Sequence, residues 1–235
     1  MSEEIRAASV LPAIRTEIEL HTTDGQTLLG ELAEPITGSE TILLTLHPLP
    51  TAGGFMDSHV LRKAANRLPA LIGVSVLRFN TRGTKSERGQ STGSFDGGVA
   101  EGFDVAAAVD FCQAKGYKNI WLLGWSFGTE LAIKYGPDHE IAGAILLSPP
   151  LHRATEDDLI RWNNFGKPLI ALVPGEDDYL KPEEAGKRFA IVERAKVIGF
   201  PGDKHLWVGE MAVQRVLNQI AKILKPNSEP LPTTF

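Results

Sequence analysis

The chain has 235 residues, 43% hydrophobic and 23% charged, which is the composition of a soluble globular protein long enough to bury a core without disulfides. Its single cysteine, Cys112, excludes an intrachain disulfide framework, and a net charge of −5 argues against nucleic acid or an anionic membrane surface as the main partner. Met1-Ser2-Glu3-Glu4 lacks the basic and apolar regions of a secretory signal, and runs such as Ile141–Leu147 are too short to span a bilayer, so a cytoplasmic protein is expected.

In chain order, Arg15–Leu20 and Thr27–Glu34 alternate polar and apolar residues around the turn Thr23-Asp24-Gly25, which predicts an N-terminal hairpin. The pattern then changes to apolar runs separated by helical stretches. Strands are predicted at Ile42–Leu46, Val74–Phe79, Ile120–Trp125, Ile141–Leu147, Leu169–Val173 and Ala195–Phe200. Helices are predicted at about Ser58–Leu68, Val99–Lys115, Phe127–Tyr135, Pro182–Phe189 and Leu206–Leu224. Strands apolar on both faces and alternating with helices imply a parallel sheet covered on both sides. Residues 1–14 read as an N-terminal extension, 15–225 as one domain, and the proline-rich stretch 226–235 as a loose tail.

Two stretches fit Gly-x-Ser-x-Gly. Gly124-Trp125-Ser126-Phe127-Gly128 lies between a predicted strand and a predicted helix, where a sharp turn would expose the serine hydroxyl. Gly89-Gln90-Ser91-Thr92-Gly93 has neither neighbour, so Ser91 reads as a loop serine. A serine needs a base, usually a histidine oriented by a carboxylate. Sites in open parallel sheets form beyond the carboxyl ends of strands, which favours His205, just after the last strand, over the other five histidines. Glu176, Asp177 and Asp178 follow the penultimate strand, and local chemistry does not choose among them.

The order Ser126, acid, His205 and the elements around it resemble the α/β-hydrolase superfamily over about residues 15–224. Gly175-Glu176-Asp177-Asp178, a few residues before Pro182, is similar to that family's Gly-x-x-Asp, which implies Asp178 as the triad acid with Asp177 as the fallback. Gly202-Asp203-Lys204-His205 resembles its Gly-x-x-His. Arg82-Gly83-Thr84-Lys85-Ser86 resembles its Arg-Gly-x-Gly-x-Ser loop, with Lys85 where a second glycine is common. His47-Pro48 and Gly53-Gly54-Phe55-Met56 are similar to segments of its small bacterial members without a cap. The resemblance implies an α/β fold with a mostly parallel eight-stranded sheet, an N-terminal antiparallel hairpin, helices on both faces and no separate cap domain.

For acyl transfer, the backbone N–H of Phe127 is expected as one oxyanion donor. Leu49 is the best second, because Pro48 and Pro50 have no N–H. Only about one helix fits between Pro149 and Lys167, so an open site is expected, shaped by Leu151, Trp162, Tyr179 and Trp207. Arg82, Lys85 and Arg88 read as a solvated face of a mobile loop, and Cys112 as core.

The activity expected is hydrolysis of a carboxylic ester, thioester or lactone of a small acyl substrate through Ser126, Asp178 and His205. No metal and no nucleotide or other cofactor is expected, since neither ligand spacing nor a phosphate-cradling loop is present. The alternative is a non-catalytic small-molecule binding member of the same fold. An interaction module built on the tail rests on composition alone. Oligomeric state is not legible.

Overall fold

The structure is a computed structural model that describes residues 3–235, so Met1 and Ser2 of the N-terminal extension lie outside it. The strands are β1 (Ile14–His21), β2 (Thr27–Glu34), β3 (Thr41–Leu46), β4 (Ser75–Phe79), β5 (Lys85–Ser86), β6 (Gly89–Gln90), β7 (Asn119–Trp125), β8 (Gly143–Leu147), β9 (Leu169–Pro174) and β10 (Ala195–Phe200). The helices are α1 (His59–Ile72), α2 (Glu101–Ala114), α3 (Phe127–Tyr135), α4 (Glu156–Phe165), α5 (Pro182–Phe189) and α6 (Glu210–Leu224). Eight strands form one sheet in the order β1-β2-β4-β3-β7-β8-β9-β10, and β5 with β6 form a separate two-stranded ribbon. β1 pairs antiparallel with β2 and β2 with β4, while every other pair in the large sheet is parallel.

Side-chain alternation along the strands explains why helices cover both faces. In β3, Ile42, Leu44 and Leu46 point into a cluster with α2, α3, α4 and α5, where Val105, Leu131, Trp162 and Phe189 pack. Leu43 points the other way, into a cluster with α1 and α6 that holds Val60, Leu68, Val213 and Ile220. A central strand covered on both faces is buried throughout, as β3 is, and the hydroxyl of its buried Thr45 donates to Leu77 O (3.1 Å). β1 at the sheet edge is mostly solvent-facing and alternates accordingly.

Helix α1 runs four residues past its predicted end, through Pro69 to Ile72. Proline removes the N–H that would bond the carbonyl of Ala65. The Arg15 guanidinium, 3.2 Å away, donates to that carbonyl instead. Helix α6 starts later than predicted, at Glu210, because residues 205–209 turn under Trp207 (φ 50°) and Gly209 (φ 98°).

The tail is tied down, not loose. Leu231 is buried, its N–H donates to Asn218 Oδ1 (2.7 Å), and its carbonyl accepts from Gln214 Nε2 (2.9 Å). Phe235 and Glu3 exchange a pair of backbone hydrogen bonds, which closes the two ends of the described chain on each other.

The charged loop after β4 also differs from the expected solvated face. Arg82 is 5% exposed, with Nε 2.9 Å from Asp104 and Nη1 2.7 Å from Asp24. Arg88 reaches Glu17 and Glu31 at 3.0 and 2.8 Å. Lys85 and Arg88 are exposed, as expected, so of the three only Arg82 is buried. Ser91 is a structural serine: its Oγ donates to Asn80 O (2.8 Å) and accepts from Leu29 N–H (3.0 Å), pinning the loop to β2. Among the described residues, no helix is long and apolar enough to cross a membrane.

Candidate active site

Ser126 sits between the end of β7 and the start of α3, with φ 52° and ψ −113°. A non-glycine residue at positive φ stores strain of order 1–3 kcal/mol and persists only where its surroundings enforce it. The flanking glycines make the turn possible. A Cβ on Gly124 would stand 2.3 Å from the Gly128 carbonyl oxygen, and one on Gly128 would stand 2.0 Å from that of Leu46. Both obstacles are backbone, so neither can yield cheaply. The Ser126 N–H donates to Leu147 O at the end of β8 (2.9 Å), which fastens the turn to the next strand.

His205 Nε2 lies 2.9 Å from Ser126 Oγ, and its Nδ1 lies 2.9 Å from Asp177 Oδ2. A carboxylate only accepts, so Nδ1 carries the proton and the neutral Nε2 accepts from the serine hydroxyl. Asp177 is 3% exposed and also accepts the N–H groups of Tyr179 (2.8 Å) and Leu180 (3.4 Å). The expectation of Asp178 is therefore corrected to Asp177. The Asp177 N–H turns back to Pro174 O (3.3 Å) and the Glu176 N–H bonds Asp203 O (2.9 Å), which points Asp177 inward and leaves Asp178 exposed.

The loop carrying His205 is held from below. Its carbonyl accepts from Trp125 Nε1 (3.2 Å) and Ser148 Oγ (3.0 Å), and Trp207 Nε1 donates to the same Ser148 Oγ (3.0 Å). His59 Nε2 donates to Leu206 O (2.7 Å), with its ring edge-on to Trp125.

The loop after β3 faces the serine from the other side. His47 is buried, with Nδ1 2.7 Å from Pro48 O and Nε2 accepting the Thr81 N–H at 3.1 Å. Burial pushes its pKa down to about 4, so the ring is neutral with its proton on Nδ1. The Pro48–Leu49 peptide is trans, so holding its carbonyl toward His47 turns the Leu49 N–H to the opposite side. Among the described residues that N–H has no hydrogen-bond partner. Gly54 permits the arrangement, since a Cβ there would meet Pro48 O at 2.2 Å.

A neutral buried His47 has a consequence for acid stability. Its ordinary value of 6.5 applies to the unfolded chain, which takes up a proton that the folded chain refuses down to about pH 4. Stability contributed by His47 is thus present above pH 6.5 and lost as pH falls toward 4, by up to about 3 kcal/mol. Urea unfolding of wild type and His47→Asn from pH 7 to 4 tests this: the wild type should lose more stability on acidification. Parallel pH profiles would contradict it.

Ser126, His205, Leu49, Phe127 and Tyr179 open onto one cleft of about 170 Å³. His152 and Arg153, which follow β8, complete its rim. Tyr179 is the one expected wall residue found there, its ring edge-on to His205 at 4.6 Å. Trp162 and Trp207 are fully buried core, and Leu151 packs into the core beneath the cleft. Arg153 was not anticipated. The available signal was its place just beyond a parallel strand, the position that also favoured His205. A larger hollow of about 540 Å³ between Leu71, Ile72 and residues 225–232 shares no residue with this cleft. Burial pushes the Cys112 thiol up, away from nucleophilic character. Among the described residues, no group of three His, Cys, Asp or Glu side chains is placed to hold a metal ion.

Comparison with solved structures decides the fold. An α/β serine hydrolase of Xanthomonas campestris without a lid superimposes with a TM-score of 0.71 at 24% identity, over 92% of this chain and 94% of that one. The chain has the α/β-hydrolase fold, without a lid. An α/β serine hydrolase homologue of Coxiella burnetii gives 0.74 at 24% identity (91% and 97% of the two chains), and the Pyrococcus furiosus esterase Pf2001 gives 0.73 at 19% (96% and 98%). In this α/β-hydrolase fold the segment where a cap could be inserted holds only α4, in agreement with the expected open site. An uncharacterized protein of Rickettsia prowazekii is 35% identical over 126 residues, a match that spans 52% of this chain and 51%, about half, of that protein. No protein-family model matches the chain.

Proposed function

We propose that the protein is a serine hydrolase that cleaves carboxylic esters of small acyl groups. The observation that carries this reading is the continuous chain Asp177–His205–Ser126, ending on a strained serine at the head of a helix. Ser126 Oγ attacks the carbonyl carbon while His205 Nε2 takes its proton, and Asp177 holds the ring and stabilises the imidazolium. His205 then gives that proton to the departing alcohol, leaving an acyl-enzyme. A water molecule, deprotonated by the same nitrogen, releases the acid and restores Ser126.

The developing oxyanion is received by two N–H groups. Phe127 is the first residue of α3, so its N–H has no intrahelical acceptor and lies at the positive end of the helix dipole. Leu49 supplies the second N–H, presented by His47 through the Pro48 carbonyl. Each such donor contributes about 100- to 1,000-fold to kcat. Thioesters and lactones meet the same requirements.

The cleft volume of about 170 Å³ is below the usual range of roughly 300–1,000 Å³ for drug-sized ligands, which supports short acyl groups. Hydrolysis of 4-nitrophenyl esters from acetate to decanoate tests the proposal. Turnover should be highest for the short esters and fall with chain length. Background rates throughout the series would favour a binding protein in a hydrolase fold.

A further inference from the structure

Resting on that reading, we infer that the substrate carries a negatively charged group on its acyl or alcohol half and that Arg153 selects it. Arg153 lines the same cleft as Ser126, with its guanidinium 5.4 Å from the centre of the Phe127 ring, the side chain next to the nucleophile. Among the described residues Arg82, Arg88, Arg161 and Arg215 are all matched to carboxylates. The Arg153 guanidinium has no carboxylate within 4.0 Å and donates no hydrogen bond to protein, so its planar fork of donors is free toward the cleft.

Its backbone is fixed by a device that leaves the side chain its charge. Glu130 on α3 is completely buried and accepts the N–H groups of His152 (2.7 Å), Arg153 (3.1 Å) and Ala154. The carboxylate is thus spent on backbone and makes no contact with the guanidinium. Leu151 before it is held at φ 51°, and Thr155 after it closes a capping box with Asp158. A cation rooted this firmly beside a nucleophile, over an aromatic face and without an internal counter-ion, is organised for a carboxylate or a similarly charged oxyanion on the substrate.

The charge could sit on the acyl half or the alcohol half of the ester, so two matched pairs are compared. Mono-4-nitrophenyl adipate and its methyl ester differ in charge on the acyl side. 4-Acetoxybenzoate and its methyl ester differ on the alcohol side. Initial rates are measured for wild type, Arg153→Met and Arg153→Lys, normalised to the sites titrated by a fluorophosphonate. In at least one pair the charged ester should be favoured about tenfold in kcat/KM. Arg153→Met should abolish that preference, and Arg153→Lys should keep part of it. Equal losses on charged and neutral esters would overturn the inference and make Arg153 a support for Phe127, as would preference for the neutral ester in both pairs. Absence of Ser126-dependent turnover on all four esters, with no fluorophosphonate uptake, would instead refute the hydrolase reading itself, and the inference with it.

Discussion

Ser126→Ala should lower ester turnover about 10⁵- to 10⁶-fold while leaving the protein folded. The oxygen that would form the acyl-enzyme is lost, and His205 Nε2 loses the hydroxyl 2.9 Å away that it is placed to deprotonate. Alanine keeps the Cβ, so the turn at φ 52° and its backbone bond to Leu147 O are retained. The Phe127 and Leu49 N–H groups also remain, so the variant should still bind ester and keep a small residual rate above water. Initial rates at saturating 4-nitrophenyl acetate, with thermal unfolding as the control for folding, measure both parts. A variant that retains a tenth of the activity would remove Ser126 from the chemistry.

Asp177→Asn should cost about 10⁴-fold in kcat, whereas Asp178→Asn should change it by less than about threefold. An asparagine at 177 can still accept the Tyr179 N–H, so the loop stays in place. Facing His205, however, its amide can present an N–H to Nδ1. The imidazole proton then moves to Nε2, and the nitrogen facing Ser126 becomes a donor in place of a base. Asp178 is exposed, and His205 is bonded to its neighbour. The ratio between the two variants separates this geometry from the alternative acid without reference to absolute rates. Equal losses, or a larger loss at Asp178, would refute the assignment.

The pair Asp177 and Asp178 also marks where sequence stops being informative. Apolar periodicity was enough to place the strands of the sheet, and the strand–serine–helix order located Ser126, because both depend on neighbours in the chain. His205 followed from its position after the last strand. Which of two adjacent carboxylates turns inward depends on the Glu176–Asp203 bond between two loops, a tertiary contact that no local pattern encodes.

The same reason accounts for the charged residues. Arg82 reads as a solvated loop residue until Asp24 and Asp104, from a hairpin turn and a helix, are seen to close on it. Arg153 and Glu130 are linked only through backbone folding after β8. Trp162 and Trp207 were expected as cleft walls, but indole N–H bonds to Ile133 O and Ser148 Oγ let both be buried completely. Even the proline-rich tail, which cannot form a helix, finds hydrogen-bond partners on α6.

The central claim is that Ser126 is an activated nucleophile, and the direct test is to map the adduct of a fluorophosphonate on the intact protein by peptide mass spectrometry. One phosphonyl group per chain, on Ser126, formed by wild type and not by His205→Ala, is the predicted result. A folded protein that takes up no label, or takes it up on another residue, would contradict the account.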